Sequence, residues 1–553
     1  MLINDTGKIK KLFLLYICIF AVSLFYRFYD LDRRSFFPGS DAPGYTGVVK
    51  TYRAGLDYLV RTKILGQHIT SVKEYLYENG GQIGTAAKDG IIPIGLIGSI
   101  VFGNNNNTIL YTSAAFGVLT VLLLFFILSR RINLLYSFML VLLFAVSPYH
   151  IGFSREGLTG IYASFFLLAG IYLYIKSLDS SNFKYLYFCG LFLGCGFLCH
   201  YNIAPFIFVF FAYEVCCIFL KRSNFKRIFI LFVSLFIPLF LTELFTSAVK
   251  LYGIRHNFML IDKFHPYFKT LFVQLIDVKG GGTDIQEGPF YYFKNLLYHE
   301  GIIPSILLII SFLFILRKGK RVNSDVSYFL LLVFLLPFNY YLWFQHSITD
   351  RAMLSFIPLW YFIIGYGLND FGRYKKLFML LIFIAILVSG FRSLDYFNYR
   401  SNFEQAVNYM QRNKGVKHVT STWSLSRLYV GRKNAVFHAE LPYSAKLTPV
   451  RSIVYQINPV NINQIKALYN NGFNYLVLNI PPSVTNDLTE AAMHIPPEYS
   501  TDTMICNDRG DGYDPALLRD KNGRYLFHFN VYDLGNVINF MEQNKRKNSL
   551  DKK

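Results

Sequence analysis

The chain has 553 residues, of which 53% are hydrophobic and 16% are charged, and its formal net charge is +21. Soluble domains rarely combine so much apolar sequence with so few charges, so the composition excludes an ordinary soluble protein. The basic residues are dispersed between apolar runs, which argues against nucleic-acid binding and favours cytoplasmic anchoring and attraction to anionic lipid phosphates. Six of the seven cysteines lie in apolar runs, so no disulfide framework is predicted.

The amino-terminal segment predicts an uncleaved membrane anchor. Three lysines within residues 1–11 precede an apolar run that extends to about Tyr29, and charged residues rather than a cleavage site follow it. A polar stretch over 30–106 comes next, interrupted by the apolar segment Ile91–Phe102. That segment is too short to cross a bilayer and is predicted to lie in the interface or to re-enter.

Ten further runs are long and apolar enough to predict membrane spans, at about 107–129, 134–149, 158–176, 185–200, 203–220, 227–248, 301–316, 326–344, 351–368 and 376–393. Every alternate short connection between them is basic, as the positive-inside rule requires. We therefore predict about eleven spans with a cytoplasmic amino terminus. This topology places the segments 30–106, 249–300 and everything after 394 outside.

Residues 394–543 are predicted to form a soluble extracytoplasmic α/β domain, because short β-rich runs alternate there with helical patterns. The predicted strands are His418–Thr422, Ala435–His438, Ile453–Ile457 and Tyr475–Asn479, and the predicted helices are Asn402–Asn413 and Asn461–Tyr469. The charged tail, residues 544–553, is expected to be disordered.

Asp41 is the first candidate for chemistry. It lies in Phe-Pro-Gly-Ser-Asp-Ala-Pro-Gly-Tyr, where Pro and Gly on both sides predict a tight loop at the membrane surface. The segment Tyr45–Val60 after it has the pattern of an amphipathic interfacial helix. A carboxylate there can face the head group of a lipid-linked substrate, although an Asp that only stabilises its own turn fits the pattern too.

Four further charged residues fall on the same predicted side as Asp41. Arg155-Glu156 opens a span after Ser147-Pro148, and Glu156 near a helix N-terminus is also explained by the helix dipole alone. Arg351 begins a late span on the predicted outer side. Arginines that anchor a span are expected on the cytoplasmic side, so a phosphate-binding role is favoured for Arg351. Lys88, just before the short apolar segment, is a weaker candidate of the same kind.

A polar trio, His200-Tyr201-Asn202, lies at another external helix end and is predicted to bind substrate by hydrogen bonds or to cap the helix. His150 and His346 also lie at external ends, but no spacing supports shared metal ligation, and a metal site is left undecided. An enzyme at a membrane surface collects polar residues on one face, whereas a transport path distributes them along helix interiors.

The order of these elements resembles the GT-C superfamily of integral membrane glycosyltransferases, and within it the branch of protein O-mannosyltransferases and lipid A aminoarabinose transferases. The resemblance covers roughly 1–393 and rests on Ser40-Asp41 with Tyr45, Lys88 to Phe102-Gly103, Ser129-Arg130-Arg131, Ser147-Pro148, Ser154-Arg155-Glu156, His200-Tyr201 and Arg351 with Pro358. The chain departs from the pattern at Ala42, where many relatives have a second acid, and at Asp89-Gly90, where a paired proline is common.

The resemblance implies transfer, with inversion, of a sugar from a polyprenyl-phosphate donor to a hydroxyl at the outer face of a cytoplasmic membrane. Asp41 is then the general base, Glu156 a second catalytic residue, and Arg155, Arg351 and Lys88 bind the donor phosphate. No cofactor is required, although a divalent cation is left open, and the acceptor is an envelope glycan, a lipid or a protein. A transporter or flippase, and a polymerase or ligase acting on lipid-linked oligosaccharides, are the alternatives.

Overall fold

The computed structural model describes residues 3–31, 42–69, 71, 75, 88–180, 182–255, 291–319, 324–344, 350–368, 374–394, 397, 417–420, 435–437, 454–456, 462–480, 500–506 and 527–550. Asp41, the predicted helix Asn402–Asn413 and most of the external segments lie outside these ranges. Fifteen helices lie in the part described before residue 397: α1 Ile3–Phe28, α2 Ala42–Leu59, α3 Ile91–Val101, α4 Thr108–Ser129, α5 Leu134–Ala145, α6 Pro148–Ser154, α7 Thr159–Ser180, α8 Phe183–Cys199, α9 Ala204–Phe219, α10 Phe225–Arg255, α11 Tyr291–Glu300, α12 Ile302–Gly319, α13 Ser324–Phe344, α14 Phe356–Leu368 and α15 Lys375–Leu394.

Among the described residues, six helices are long and apolar enough to cross a membrane, or seven when the bent pair α5–α6 is taken as one span. Four other predicted spans coincide with shorter apolar helices at Phe183–Cys199, Ile302–Arg317, Val326–Tyr341 and Met353–Gly367. The chain is therefore a multi-pass helical protein, and the number eleven stays a prediction. Helix α3 has 11 residues and is about 16 Å long, well short of a hydrocarbon core of about 30 Å.

The predicted span over 134–149 is two helices rather than one. The chain bends by 55° between α5 and α6. Ser147 is the N-cap of α6 and accepts a hydrogen bond from the backbone N–H of His150, while Pro148 occupies the first helical turn. A serine cap followed by proline begins a new helix, because proline fixes φ at a helical value and needs no amide partner there. The predicted span 134–149 therefore contains a break, and the bent pair still counts as one candidate span.

Close packing in the bundle depends on glycine between α8 and α10. A Cβ atom at Gly190 would lie 1.9 Å from Ser234 Oγ, and one at Gly194 would lie 2.4 Å from the Leu235 carbonyl oxygen. The two glycines, four residues apart, lie on one face of α8 and let the helix backbones approach. The core that this packing extends is formed mainly by α4, α7 and α14, where side chains such as Phe125, Tyr162 and Trp360 are buried.

Contacts between helix ends fix which ends lie together. The Tyr26 hydroxyl donates to the Gly390 carbonyl, which joins the end of α1 to that of α15. Ser393 donates to the Val146 carbonyl, which joins α15 to the α5–α6 bend. The opposite ends of the helices carry the basic connections, as in the Arg131–Asp179 ion pair. The polar residues of interest lie at the first of these two ends.

The carboxy-terminal part contains a six-stranded sheet of order β2-β3-β1-β4-β6-β5. Strands β1–β4 are parallel, whereas β6 pairs antiparallel with β4 and β5. The bounds are β1 Lys417–Thr420, β2 Ala435–Phe437, β3 Val454–Gln456, β4 Phe473–Ile480, β5 Ser500–Cys506 and β6 Phe527–Asp533, with helices α16 Ile462–Asn470 and α17 Leu534–Leu550. The four predicted strands and the helix Asn461–Tyr469 are present, and β5 and β6 were not predicted.

Helix α17 continues into the charged tail. The sequence favours disorder from Asn544, but the helix runs to Leu550. Lys466 on α16 forms an ion pair with Glu542 on α17, so the two helices are joined side by side. The expectation of disorder in the tail 544–553 stays a prediction.

Candidate functional site

The first turn of α2 lies at the centre of the candidate site. Ala42, the residue after Asp41, is fully buried. A Cβ atom built at Gly157 would lie 3.2 Å from the Ala42 Cβ, so the start of α2 lies directly against the turn that follows Arg155-Glu156. Gly157 has a φ of +75°, a left-handed conformation that glycine adopts without strain. Asp41 itself lies outside the described residues.

The same turn of α2 also holds Lys88. The Lys88 Nζ donates to the Tyr45 hydroxyl at 2.9 Å and lies 5.6 Å from the centre of the Tyr45 ring. Tyr45 is three residues after Ala42 and therefore on the same helical face. Lys88 is only 6% exposed. The structure thus brings Lys88, Tyr45 and the 155–157 turn around one helix end.

Residues 88–90 are held against the end of α8. The Gly90 amide donates to the Leu198 carbonyl, and a Cβ at Gly90 would lie 2.7 Å from the Cys199 backbone nitrogen. His200, the next residue, caps α8 and accepts a hydrogen bond from the Asn202 amide through Nδ1. Helix α8 therefore delivers His200 to the neighbourhood of Lys88.

The two other members of the polar trio have structural contacts. The Tyr201 ring lies 5.0 Å from that of His200, and the Asn202 carbonyl accepts from the Tyr341 hydroxyl. Tyr201 and Asn202 are partly exposed, whereas His200 is buried. Tyr201 and Asn202 lie in the 3₁₀ turn Tyr201–Ile203 between α8 and α9, and His200 is the N-cap of that turn. Capping, which the sequence offered as one of two roles, describes His200.

Arg155 is buried against the end of α1. Its Nη1 donates to the carbonyl oxygens of Tyr26, Arg27 and Tyr29, and its guanidinium carbon lies 5.2 Å from the centre of the Phe397 ring. Carbonyls at a helix C-terminus lack intrahelical partners and carry partial negative charge, so a guanidinium stabilises them. One edge of Arg155 therefore donates to the end of α1, and no local sequence pattern predicts this contact.

Arg27 makes the reciprocal contact. It is fully buried and donates to the Ala145 carbonyl at 2.9 Å and to His150 Nδ1 at 2.7 Å. Because an arginine always donates, His150 Nδ1 is the acceptor and the ring proton lies on Nε2. Arg27 therefore binds the end of α1 to the α5–α6 bend, and Arg155 binds the same end of α1 to the C-terminus of α6.

For Glu156 the structure gives the burial of the side chain, and for Arg351 it gives the position of the backbone. Glu156 is 5% exposed and lies between Arg155 and the Gly157 turn. The backbone of Arg351 lies in the 3₁₀ turn Asp350–Ser355. In that turn the Leu354 carbonyl accepts a hydrogen bond from Ser164, and a Cβ at Gly160 would contact the Leu354 side chain. The Arg351 turn therefore packs on the start of α7, immediately after the 155–157 turn.

Glu300 is a buried carboxylate that the sequence reading missed. It is 1% exposed and accepts hydrogen bonds from Ser147 Oγ at 2.6 Å and from the Tyr361 hydroxyl. Burial raises the pKa of the Glu300 carboxyl, while the two hydroxyl donors and nearby Arg392 act in the opposite direction. The position of Glu300 directly before the apolar start of α12 was the only local sequence signal for it. Its hydrogen-bond partners lie far away in the chain.

Lys50 and Asp57 are further charged groups on α2. Lys50 donates to Asn106, and burial lowers its pKa to about 8. Asp57 is partly exposed, and its pKa is lowered mainly by a hydrogen bond from Tyr75 and also by Arg61. Neither group lies on the turn that contacts Gly157, so both serve as comparison positions.

Glu214, an acid within the apolar helix α9, belongs to the opposite end of the bundle. It accepts from Tyr174 at 2.8 Å and Ser223 at 2.6 Å and forms an ion pair with Arg227 at 2.9 Å. The charge of Glu214 is therefore balanced by Arg227, which lies at the basic connection between α9 and α10. In the part of the chain that the structure describes, no group of three or more His, Cys, Asp or Glu is arranged to hold a metal ion.

Comparison with known proteins gives a family match for part of the chain. Residues 94–245 match the family model described as dolichyl-phosphate-mannose-protein mannosyltransferase. That range includes Arg155, Glu156 and the His200 trio, whereas Lys88 and Arg351 lie outside it. A search of curated proteins finds no match.

Solved structures share the fold. ArnT from Cupriavidus metallidurans bound to undecaprenyl phosphate has a TM-score of 0.54 and 9% identity, over 93% of this chain and 97% of that one. The Archaeoglobus fulgidus oligosaccharyltransferase in its apo form has a TM-score of 0.51 and 13% identity, over 85% and 69%. The same enzyme tethered with an acceptor peptide has a TM-score of 0.50 and 12% identity, over 85% and 69%.

At these identities the structural likeness is one of fold, and it agrees with the family match over the first half of the bundle. The chain is a multi-pass membrane protein that resembles the GT-C superfamily of glycosyltransferases, and within it the branch of protein O-mannosyltransferases and lipid A aminoarabinose transferases.

Proposed function

We propose that this protein transfers a sugar from a polyprenyl-phosphate donor to an acceptor hydroxyl, with inversion, at the membrane face where α2 meets the 155–157 turn. The observation that carries the proposal is the contact of Ala42 with Gly157. Two acidic residues, Asp41 and Glu156, each immediately precede one member of that contact.

The reaction requires a base at the acceptor. The acceptor oxygen attacks the anomeric carbon and loses its proton to a carboxylate, for which Asp41 is our candidate. The bond between that carbon and the phosphate oxygen breaks, and its electron pair leaves with the polyprenyl phosphate. Glu156 positions the acceptor or balances the charge of Arg155. A single displacement of this kind inverts the anomeric configuration.

The leaving phosphate requires positive charge. Lys88 supplies it from a buried position on the Tyr45 hydroxyl. Arg155 supplies charge while one edge of its guanidinium holds the end of α1. Arg351 is the third candidate, from a turn that packs on α7. Developing negative charge is stabilised most where such groups are preorganised and water is excluded.

A lipid-linked donor is supported by the ligand of one structural neighbour. ArnT from Cupriavidus metallidurans binds undecaprenyl phosphate, and the present chain shares its fold over 93% of its length. Phosphate on a lipid is already a competent leaving group, so we assign no metal to the reaction and leave a divalent cation open. The acceptor is an envelope glycan, a lipid or a protein.

We also propose the orientation that the charge pattern predicts. The amino terminus and the Arg131–Asp179 end face the cytoplasm, and the Ala42–Gly157 end faces outward from a cytoplasmic membrane. Eleven helices cross the bilayer, and the sheet β1–β6 with α16 and α17 forms an extracytoplasmic domain. Tyr45, His200, Tyr201 and Asn202 contact substrate in this arrangement.

The test is sugar transfer by the purified protein from a panel of polyprenyl-phosphate sugars. Asp41→Asn keeps the size of the side chain and removes the base, so kcat should fall by about 10²- to 10⁴-fold. Asp57→Asn, which changes a partly exposed acid on α2, is the control and should keep the wild-type rate. Full activity of Asp41→Asn would exclude Asp41 as the base.

A further inference from the structure

Glu300 connects three helices at the outward end of the bundle. It is the last residue of α11, and its carboxylate accepts hydrogen bonds from Ser147 before α6 and from Tyr361 on α14. The residue is 1% exposed. A buried carboxylate with two hydroxyl donors fixes the relative position of the elements that carry them.

Ser147 passes this restraint to α6. Its hydroxyl donates to Glu300 and accepts from the His150 amide, the bond that caps α6. Helix α6 is seven residues long and ends at Ser154, directly before Arg155-Glu156. At about 1.5 Å per residue, the cap and the Arg155-Glu156 turn are about 10 Å apart on one short, rigid element.

A neighbouring contact holds the same junction from α15. Ser393 donates to the Val146 carbonyl at 2.8 Å, and Arg392 donates to the Tyr298 carbonyl on α11. The α5–α6 bend is therefore held at Val146 and at Ser147 by different helices. Of these contacts, the bond to Glu300 is the one that acts on the N-cap itself.

We propose that Glu300 is a positioning residue for the transfer reaction: by holding the N-cap of α6, it sets the orientation of Arg155 and Glu156 relative to α2. This inference rests on the proposed function for its effect on catalysis. Its structural part, the order of the 147–157 segment, is independent of which reaction the protein performs.

Glu214 offers a matched control at the opposite end of the bundle. It is also 1% exposed, and it also accepts hydrogen bonds from one tyrosine and one serine hydroxyl. Replacing either acid with glutamine leaves an amide oxygen for one hydroxyl and puts an amide NH₂ where the second acceptor was. Glu214 also forms an ion pair with Arg227, which Glu300 lacks among the described residues, so a purely structural role predicts that Glu214→Gln perturbs the protein at least as much as Glu300→Gln.

The experiment compares wild type, Glu300→Gln and Glu214→Gln by amide hydrogen exchange and by transfer kinetics. For Glu300→Gln we expect faster exchange confined to residues 147–157 and a kcat lower by about 10- to 100-fold, because displacement of reacting groups by about 1 Å costs about 100-fold. For Glu214→Gln we expect neither change. Tyr361→Phe removes one donor to Glu300 without altering the acid and should reproduce the effect in weaker form.

The proposal is overturned if exchange at 147–157 is unchanged in Glu300→Gln, or if Glu214→Gln produces the same exchange and kinetic changes. If Glu300→Gln does not fold, Tyr361→Phe decides by the same two readouts. Absence of transfer by wild type from every donor would refute the proposed function, and the exchange comparison would still decide whether Glu300 positions the turn.

Discussion

Gly157→Ala is the substitution that most specifically disturbs the contact on which the proposed site depends. Gly157 has a φ of +75°, and an added Cβ would lie 3.0 Å from Ile109 Cγ2, 3.2 Å from Ala42 Cβ and 3.3 Å from Leu110 Cδ2. All three separations are tighter than ordinary van der Waals contact. The new methyl group therefore pushes against the first turn of α2.

The expected magnitude has two parts. A left-handed conformation costs a residue with a Cβ about 1–2 kcal/mol, and overpacking of a close contact costs about 1–3 kcal/mol. Gly157→Ala should therefore destabilise the protein by about 2–5 kcal/mol. Gly103→Ala isolates the first part, because Gly103 has a φ of +82° and its nearest neighbour would be 3.8 Å away. That control should lose only about 1–2 kcal/mol.

The kinetic consequence distinguishes a site from a packing contact. Movement of Ala42 moves the preceding peptide and with it the Asp41 position, so kcat per folded molecule should fall by about 10- to 100-fold in Gly157→Ala. Gly103→Ala should keep the wild-type kcat. Thermal unfolding in detergent and initial transfer rates measure the two quantities. Equal stability and equal kcat in the two variants would refute the reasoning.

Three further substitutions test charged groups. Lys88→Met should raise the KM for a polyprenyl-phosphate donor by about 10- to 100-fold, since a hydrogen bond to a charged group contributes about 1.5–3 kcal/mol, and an unchanged KM would remove Lys88 from the phosphate site. Lys50→Met should stabilise the protein by at most about 3 kcal/mol below pH 8. That gain should fade between pH 8 and 10.5, because native Lys50 loses its proton at about 8 and the unfolded chain only near 10.5; unfolding at pH 7 and 9.5 measures it, and a constant difference would contradict it. Glu214→Ala should destabilise by about 3–5 kcal/mol by leaving Arg227 buried without its partner, with KM unchanged in donor titrations; a raised KM would place Glu214 in substrate binding.

The helices were predictable from the sequence because hydropathy and basic connections are local signals. The predicted segment 158–176 corresponds to Thr159–Ser180, for example, and 376–393 to Lys375–Leu394. The bend at Ser147-Pro148 also has a local signal, a serine cap followed by proline, but the length of the apolar run alone predicts a span across it. Strand β5 was missed because its sequence, Ser-Thr-Asp-Thr-Met-Ile-Cys, lacks a clear alternating pattern. Strand β6, Phe-His-Phe-Asn-Val-Tyr-Asp, does alternate, but the prediction did not include it.

The site was predictable only as a set of residues at one end of the bundle. Lys88 and Tyr45 do meet, and α2 does reach the turn after Glu156. The partners of Glu300 lie 153 and 61 residues away, so no local pattern contains them. Likewise, the contact of Arg155 with the carbonyls of α1 depends on how two distant helix ends meet.

The anomeric configuration of the product tests the central claim most directly. Purified protein would receive a polyprenyl-phosphate sugar of known configuration, and the glycoside formed would be analysed by NMR. Direct displacement assisted by one carboxylate predicts a product of opposite configuration, together with stoichiometric release of polyprenyl phosphate. Retained configuration, or no release of polyprenyl phosphate from any sugar donor tested, would contradict the account.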